Sequence, residues 1–242
     1  MKKIILISGA TKNLGYFLGN YFQKKNYSII NLSRNIDSKN NFNNFKCNLE
    51  DENHTNNVFK IVKKRFSKID LIISCAGNSK KNFSKIEAKV DFEKSFEDNF
   101  YSLVNLISSY THVYKFKSTK IIAISSIAGN KITQAPITYS VAKSALNFYS
   151  KYKAKELAKY NISLNTISPG NILQPDNNWD KKIKKDKVKI LKYIKEKVPM
   201  NKFCRPIDIA EYINFILLSK NNITTGSNFV IDGGEILWVE KF

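Results

Sequence analysis

Ser126, Tyr139 and Lys143 follow one another as Ser-x12-Tyr-x3-Lys in the stretch AISSIAGNKITQAPITYSVAK. These three side chains can together run acid–base chemistry at a carbonyl. Four residues apart on a helix, Tyr139 and Lys143 lie on one face, which lets the ammonium stand near the phenol and favour its phenolate form. A tyrosine with its ordinary pKa near ~10 is a poor proton carrier at neutral pH, so a neighbouring positive charge would bring it toward the working range of a general acid or base. The Ser126 hydroxyl would then meet the substrate oxygen where charge develops.

The chain is rich in lysine, and Tyr21/Lys25, Tyr149/Lys153 and Tyr193/Lys197 repeat the Tyr-x3-Lys spacing. Pro136 and Asp180 stand thirteen residues before Tyr149 and Tyr193, where a serine is needed. Ser8 does precede Tyr21 by that interval, but the helix between them would carry Tyr21 ~12 Å away at ~1.5 Å per residue. Between Ser126 and Tyr139 lies a loop with Gly129 and Pro136, able to turn the next helix back over the strand end.

The elements that must position these residues begin at the N-terminus. KKIILISGATKNLGYFLGNYF reads as an apolar strand Lys3–Ser8, a turn, and an amphipathic helix from Asn13, the context a dinucleotide-binding turn requires. Its spacing is Gly9-x3-Asn13-x-Gly15, with helix-start amides available to a pyrophosphate and an Asn, tolerant of positive φ, at the middle position. The second strand ends in Ser33-Arg34 where an NAD site usually offers a carboxylate, and Lys12 sits in the glycine turn. Two cations there favour the 2′-phosphate of NADP(H).

Taken together these residues resemble the short-chain dehydrogenase/reductase family over nearly the whole chain. Ser8–Gly15 resembles its coenzyme motif, Asp70–Gly77 its fourth strand, and Asn99 in FEDNFYS its helix-borne catalytic Asn. Ser168–Ile172 (SPGNI) and Asp232-Gly233-Gly234 follow in the family's order. The resemblance implies a catalytic set of Asn99, Ser126, Tyr139 and Lys143. In it Tyr139 exchanges the proton, Lys143 lowers its pKa and holds the nicotinamide ribose, Ser126 steadies the carbonyl and Asn99 holds a water in a proton relay. It also implies a cofactor site formed by Gly9, Thr11, Lys12, Asn13, Leu14, Gly15, Ser33, Arg34, Asn48, Leu49, Cys75, Ala76, Gly77, Tyr139, Lys143, Pro169, Gly170 and Ile172. Two departures stand out: Ser74-Cys75-Ala76-Gly77 where the family usually has Asn-Asn-Ala-Gly, and Asn48 where it commonly has Asp.

With 242 residues, 43% of them hydrophobic, the chain can bury the core of one α/β unit. The expected fold is a single-domain Rossmann fold, a doubly wound seven-stranded parallel sheet with helices on both faces. Strands are expected near Lys3–Ser8, Ser28–Leu32, Phe45–Leu49, Asp70–Ser74, Lys120–Ser125, Ser163–Ser168 and Asn228–Ile231. Helices are expected over Asn13–Lys25, His54–Phe66, Phe92–Tyr114, Tyr139–Tyr160 and Pro206–Leu218. The compositional break at Leu173–Val198 reads as a mobile lid over the substrate site. Trp179 within it could stack on a sugar ring, pack along an acyl chain, or serve the lid's own core.

A formal charge of +20 could point to nucleic acid, but only Arg34, Arg65 and Arg205 among the 40 cations are arginines, and Asn is abundant as well. That pattern indicates a coding bias toward Lys and Asn, with lysines spread over solvated faces, and no nucleic-acid partner. Lys181, Lys182, Lys184, Lys185, Lys187 and Lys189 crowd at the expected lid, where they could attract a phosphate-bearing carrier. Three cysteines without metal spacing and two histidines argue against a disulfide scaffold and a metal site, and fit the cytoplasm. The first apolar run is too short for a signal segment, and no run approaches the ~20 residues of a membrane span. The expectation is an NADP(H)-dependent oxidoreductase interconverting a ketone and a secondary alcohol, resembling 3-oxoacyl-acyl-carrier-protein reductases. Alternatives are a keto-sugar or nucleotide-sugar enzyme and a non-catalytic NADP-binding regulator. The resemblance implies a homodimer or homotetramer.

Overall fold

A computed structural model of the chain describes residues 2–36, 40–79, 86–175, 177–220 and 223–237. Seven strands form one parallel sheet: β1 (Ile4–Ser8), β2 (Ser28–Ser33), β3 (Asn43–Lys46), β4 (Leu71–Ser74), β5 (Thr119–Ile124), β6 (Ile162–Pro169) and β7 (Asn228–Ile231). Their order is β3-β2-β1-β4-β5-β6-β7, so the winding reverses between β1 and β4. At such a reversal the connections leave in opposite directions and open a crevice beyond the strands' carboxyl ends.

The apolar runs are continuous because both faces of the sheet are covered. Successive side chains point to opposite faces. Leu6, Ile30, Ile72 and Ile121 accordingly enter one core, with Val58, Phe59, Leu106, Tyr110, Leu146 and Leu157. Ile5, Ile7, Ile29, Leu71, Ile73 and Ile122 enter the other, with Leu14, Leu18, Phe22, Ile209 and Ile213. Helices α2 (Glu52–Arg65), α4 (Ser102–Tyr114) and α5 (Ile137–Ala158) therefore pack on the first face, and α1 (Asn13–Lys24) and α8 (Pro206–Leu218) on the second. Helix α3 (Lys89–Phe96) precedes α4, and α6 (Asn178–Lys185) and α7 (Lys187–Lys197) lie between β6 and α8.

Three elements differ from the sequence reading. Strand β3 covers Asn43–Lys46 rather than Phe45–Leu49, because pairing with β2 runs from Asn43 opposite Ile30 to Lys46 opposite Ser33 and ends where the Cys47 amide bonds the Ser33 carbonyl; Cys47 and Leu49 bury their side chains in the first core. The helix expected over Phe92–Tyr114 begins earlier and is interrupted by a π-helical turn at Glu97–Tyr101. The stretch expected as a lid, apart from Asp176, which lies outside the described residues, folds mainly into α6 and α7. Ile190, Ile194, Val198 and Phe203 form a small core there with Trp179, Ile183 and Tyr193. No helix among the described residues is long and apolar enough to cross a membrane.

Candidate active site

The turn after β1 is held by side chains as much as by main chain. Asn31 on β2 accepts the Ala10 amide at 3.0 Å and the Ser33 hydroxyl at 2.7 Å through Oδ1. Ser8 accepts the amides of Cys75 and Ala76 through its hydroxyl at 3.1 and 3.2 Å, tying the end of β1 to the end of β4 across the crevice. Gly9 (φ 78°) and Asn13 (φ 52°) are both left-handed, which the sequence pattern anticipated for the Asn. A Cβ on Gly15 would stand 2.2 Å from the Gly9 carbonyl oxygen, so nothing larger fits where α1 leaves the turn.

Whether these residues suit a nicotinamide dinucleotide can be judged from the start of α1. Lys12 caps it without a side-chain hydrogen bond and its first turn carries no acidic residue. Its leading amides and positive dipole end are thus offered to an anion, as a pyrophosphate needs. Leu14 and Leu49 are buried in the cores, which restricts any contact from them to the main chain. The Asn48 amide donates to His54 Nδ1 at 3.3 Å, and its side-chain oxygen accepts the Glu50 amide at 3.4 Å. The residues fit the group.

The catalytic candidates come together from three elements. Ser126 follows β5 and its hydroxyl accepts the Ala128 amide at 3.2 Å, starting a 3-10 turn at Ile127–Gly129. A Cβ on Gly129 would lie 2.8 Å from the Lys143 carbonyl carbon, so the glycine lets this turn press directly on α5. Ser126 is thereby brought beside Tyr139, close enough to lower the phenol's pKa against the push of burial. Lys143, 4% exposed, donates to the Ile124 carbonyl at 2.9 Å and sits 5.7 Å from the Tyr139 ring centre. Asn99 lies in the π-helical turn, a feature often found at functional sites. Its amide donates to the carbonyls of Asn78 at 2.8 Å and Ser95 at 3.0 Å, and its oxygen accepts the Asn78 amide at 3.0 Å. A Cβ on Gly77 would come 2.8 Å from Asn99 Oδ1 and 3.4 Å from Lys143 Nζ. Asn99, Gly77 and Lys143 therefore meet at one point.

Electrostatics depart from the sequence expectation. Burial pushes the Tyr139 phenol up to about 12, against the lowering hydrogen bond with Ser126. Burial also draws the Lys143 ammonium down to about 8. Desolvation of each charged form thus outweighs the tuning that the Tyr-x3-Lys spacing suggested, and the lysine's hydrogen bond goes to a carbonyl rather than to the phenol. The Cys75 thiol beside them is pushed up to about 12 by burial, opposed by the Lys143 charge, so it stays a neutral thiol. Cys47, Cys75 and Cys204 are all free. No cluster able to hold a metal ion occurs among the described residues.

Around this centre stand groups that the sequence reading did not single out. Arg34 reaches Glu50 at 2.7 Å and Asp98 at 3.5 Å, two acids flanking the Asn48-Leu49 and Asn99 motifs. Beyond the end of β6, Asn171 donates to both Glu235 oxygens at 2.9 and 3.2 Å, and the Tyr193 hydroxyl donates to Glu235 at 2.7 Å. The Asp232-Gly233-Gly234 motif makes the turn that presents Glu235: Asp232 accepts the amides of Gly234 and Ile236, both at 2.8 Å, and both glycines have positive φ. Pro169, Gly170 and Ile172 lie beside it, with the Gly170 amide bonded to the Ile231 carbonyl at 2.9 Å and Ile172 bridged to Cys204. Trp179 packs against Phe203 at 4.8 Å and Tyr193 at 5.7 Å, within the small core of α6 and α7. The rival Tyr21 sits on α1 against Phe22, away from this cluster.

Comparison with known proteins places this geometry among relatives. A family model described as enoyl-(acyl carrier protein) reductase matches residues 17–235. A 3-oxoacyl-acyl-carrier-protein reductase of Buchnera aphidicola is 26% identical over 243 residues, spanning 96% of this chain and 97% of that protein. Among solved structures, ElxO with NADP bound is 26% identical with a TM-score of 0.87, over 98% of this chain and 100% of that one. A 4-hydroxyisoleucine dehydrogenase complexed with NADH is also 26% identical, with a TM-score of 0.84 and the same coverage.

Proposed function

The chain belongs to the short-chain dehydrogenase/reductase family and is an oxidoreductase acting on CH–OH and C=O groups, and on that premise we propose that it reduces a ketone, a 3-oxoacyl thioester first among candidates, with NADPH. The observation that carries the reading is the turn after β5, which presses on α5 and brings Ser126 beside Tyr139 with Lys143 buried behind them, at the carboxyl ends of the strands where the sheet reverses. Bound NADPH would supply the hydride. Tyr139, held protonated by burial, gives its proton to the carbonyl oxygen, and Ser126 donates a hydrogen bond to the same oxygen as charge gathers on it. In this reading Lys143, whose proton burial loosens to about 8, returns a proton to the phenol after exchanging its bond to the Ile124 carbonyl. A protonated phenol favours the reductive direction at neutral pH.

Asn99 spends its amide on Asn78 and on the preceding helical turn. Its part is to fix the Gly77–Asn78 segment against Lys143, and any relay water is met by the main chain of the π-turn. Lys12 and Arg34 are the groups for the 2′-phosphate in this reading; ElxO with NADP and 4-hydroxyisoleucine dehydrogenase with NADH support a nicotinamide cofactor. The stretch 173–198 covers the substrate.

Association into a dimer or tetramer is part of the proposal. On α5, Ile137, Val141, Phe148 and Tyr152 form an exposed apolar stripe at helical spacing. Light scattering showing only a 27.8 kDa species would refute it.

The deciding experiment follows coenzyme absorbance with a 3-oxoacyl thioester, a keto-sugar and a 2-enoyl thioester, each with NADPH and NADH. Turnover of the 3-oxo substrate with NADPH is expected. Turnover of the enoyl substrate alone would move the chemistry to a C=C bond, and turnover of the keto-sugar alone would replace the acyl reading.

A further inference from the structure

Five charged side chains from three parts of the chain meet beside the end of β2. Arg34, the residue after that strand, places Nη1 2.7 Å from Glu50 and Nη2 3.5 Å from Asp98. Lys94 on α3 reaches Glu50 at 3.1 Å, Glu97 at 3.3 Å and Asp98 at 3.8 Å. The Glu50 and Asp98 carboxyls lie against one another and share Arg34 and Lys94 as counter-charges. Burial and then this contact hold Asp98 above its ordinary range. Against the upward push of its own burial, Lys94 and Asp98 bonds and the Arg34 charge hold Glu50 below its range.

The partners are not equally free to move. The Asp98 and Glu50 side chains are 7% and 20% exposed, whereas the Arg34 side chain is 57% exposed. Glu50 keeps Lys94 if Arg34 leaves, so the carboxylate stays compensated. Arg34, in contrast, has both terminal nitrogens turned toward acids. A guanidinium occupied in this way cannot offer the same fork to a phosphate.

We infer that Glu50 sets the coenzyme preference of this chain by competing with the 2′-phosphate of NADPH for Arg34. The inference rests on the reading above that Arg34 meets that phosphate. NADPH must draw the guanidinium off Glu50, while NADH, lacking the phosphate, leaves the pair intact. Glu50 therefore narrows the discrimination that Lys12 and Arg34 would otherwise give, and the chain accepts both coenzymes more evenly than its cations suggest. Glu50 is a positioning residue, acting through Arg34.

The test is a double-mutant cycle on the full chain. Dissociation constants for NADPH and NADH are measured by calorimetry for the wild type, Glu50→Gln, Arg34→Ala and the double variant. Glu50→Gln is expected to raise the NADPH-over-NADH affinity ratio about fivefold, the scale of one exposed ion pair. In the Arg34→Ala background the same change should move the ratio less than about twofold, because there is no guanidinium to release. Glu50→Asp should fall between wild type and Glu50→Gln, which separates competition from a general loosening of the loop. A fall in the ratio on Glu50→Gln would make Glu50 an orienter of Arg34 and overturn the inference, as would a gain that survives intact without Arg34. If Arg34→Ala shifts the ratio and Glu50→Gln does not, the inference alone fails. If Arg34→Ala leaves the ratio unchanged, the phosphate reading fails and takes the inference with it. Thermal melts of the four chains show whether Glu50→Gln folds; where it does not, Glu50→Asp decides by the sign of its shift.

Discussion

The strand-end platform and the segment after β6 are built on different principles. Ser126, Asn99 and the Tyr139–Lys143 pair come from three elements, and close approaches at Gly77 and Gly129, with Gly15 in the neighbouring turn after β1, lock the platform together. An added methyl at any of the three would collide within 3 Å. Helices α6 and α7 instead carry a small core of their own and join the rest partly through one polar cluster, Asn171, Tyr193 and Glu235. The contrast sets a tightly packed platform against a unit whose own core can vary without disturbing it, and under the proposed function the first would fix the reaction and the second the substrate.

The largest effect should come from the platform. Tyr139→Phe is expected to keep coenzyme affinity and lower kcat at least ~10²-fold, the usual contribution of a positioned proton donor. Tyr21→Phe, at a site with the same spacing to lysine, should leave kcat within about twofold, since its ring packs against α1 and α8. Steady-state kinetics beside coenzyme titration separates the two, and comparable losses would break the distinction between platform and scaffold.

Lys143→Met should abolish turnover yet stabilise the chain. Holding a buried ammonium whose pKa has dropped from 10.5 to about 8 costs about 3 kcal/mol at neutral pH. The lost bond to the Ile124 carbonyl offsets about 1 kcal/mol of that. Between pH 8 and 10.5 the unfolded chain holds this proton more firmly than the folded one, so wild-type stability rises with pH through that window. The variant's advantage, largest below pH 8, should therefore shrink to nothing or reverse by pH 10.5. Urea denaturation of both chains across this range measures it, and an advantage that grew with pH would show that Lys143 is not held against its charge.

The platform was readable because its spacing reports helix geometry and strand-end loops, which local sequence encodes. Ser126 and Tyr139 met as their thirteen-residue separation required, and the left-handed Asn13 took the place of a glycine as its type allows. The sheet was legible for the same reason, from apolar runs between turn residues. What stayed hidden depends on contacts distant in sequence. Glu50 and Asp98 each lie next to a recognised motif, but nothing local says that Arg34 will fold onto both. The π-turn could not be read from FEDNFYS, and the desolvation of Tyr139 and Lys143 follows from packing that spacing alone does not describe. Trp179 carried three readings until Phe203 and Tyr193 were found against it.

A smaller effect should come from the joint between the two regions. Burial first, then the hydrogen bond and charge of Glu235, push the Tyr193 phenol well above its ordinary range, and burial raises Glu235 as well. Tyr193→Phe removes one partner of a carboxyl that still keeps Asn171. We expect KM for the carbonyl substrate to rise about fivefold with kcat within twofold, the scale of one ordinary net hydrogen bond of about 1 kcal/mol. A fall in kcat with KM unchanged would place Tyr193 in the chemistry and erase the division.

The smallest effect concerns the lysines of α6. Lys184 is paired with Asp180 at 2.7 Å and Lys182 lies 4.0 Å over the Trp179 ring, so part of their charge is already engaged. Lys181 and Lys185 on the same short helix are exposed. Attraction of an acidic carrier by such groups acts through water and fades beyond a Debye length of ~10 Å at 0.1 M salt. Lys181→Gln with Lys185→Gln should therefore raise KM for a carrier-linked 3-oxoacyl substrate about threefold at low salt and leave a short uncharged thioester unaffected. Replacing Lys182 and Lys184 instead should do less to that ratio and more to thermal stability, because those side chains support the lid's packing. An equal rise in KM for both substrates would mean that the lysines shape the lid rather than draw in a carrier, and the segment's influence on substrate choice would then be steric, set by the small core around Ile190 and Ile194.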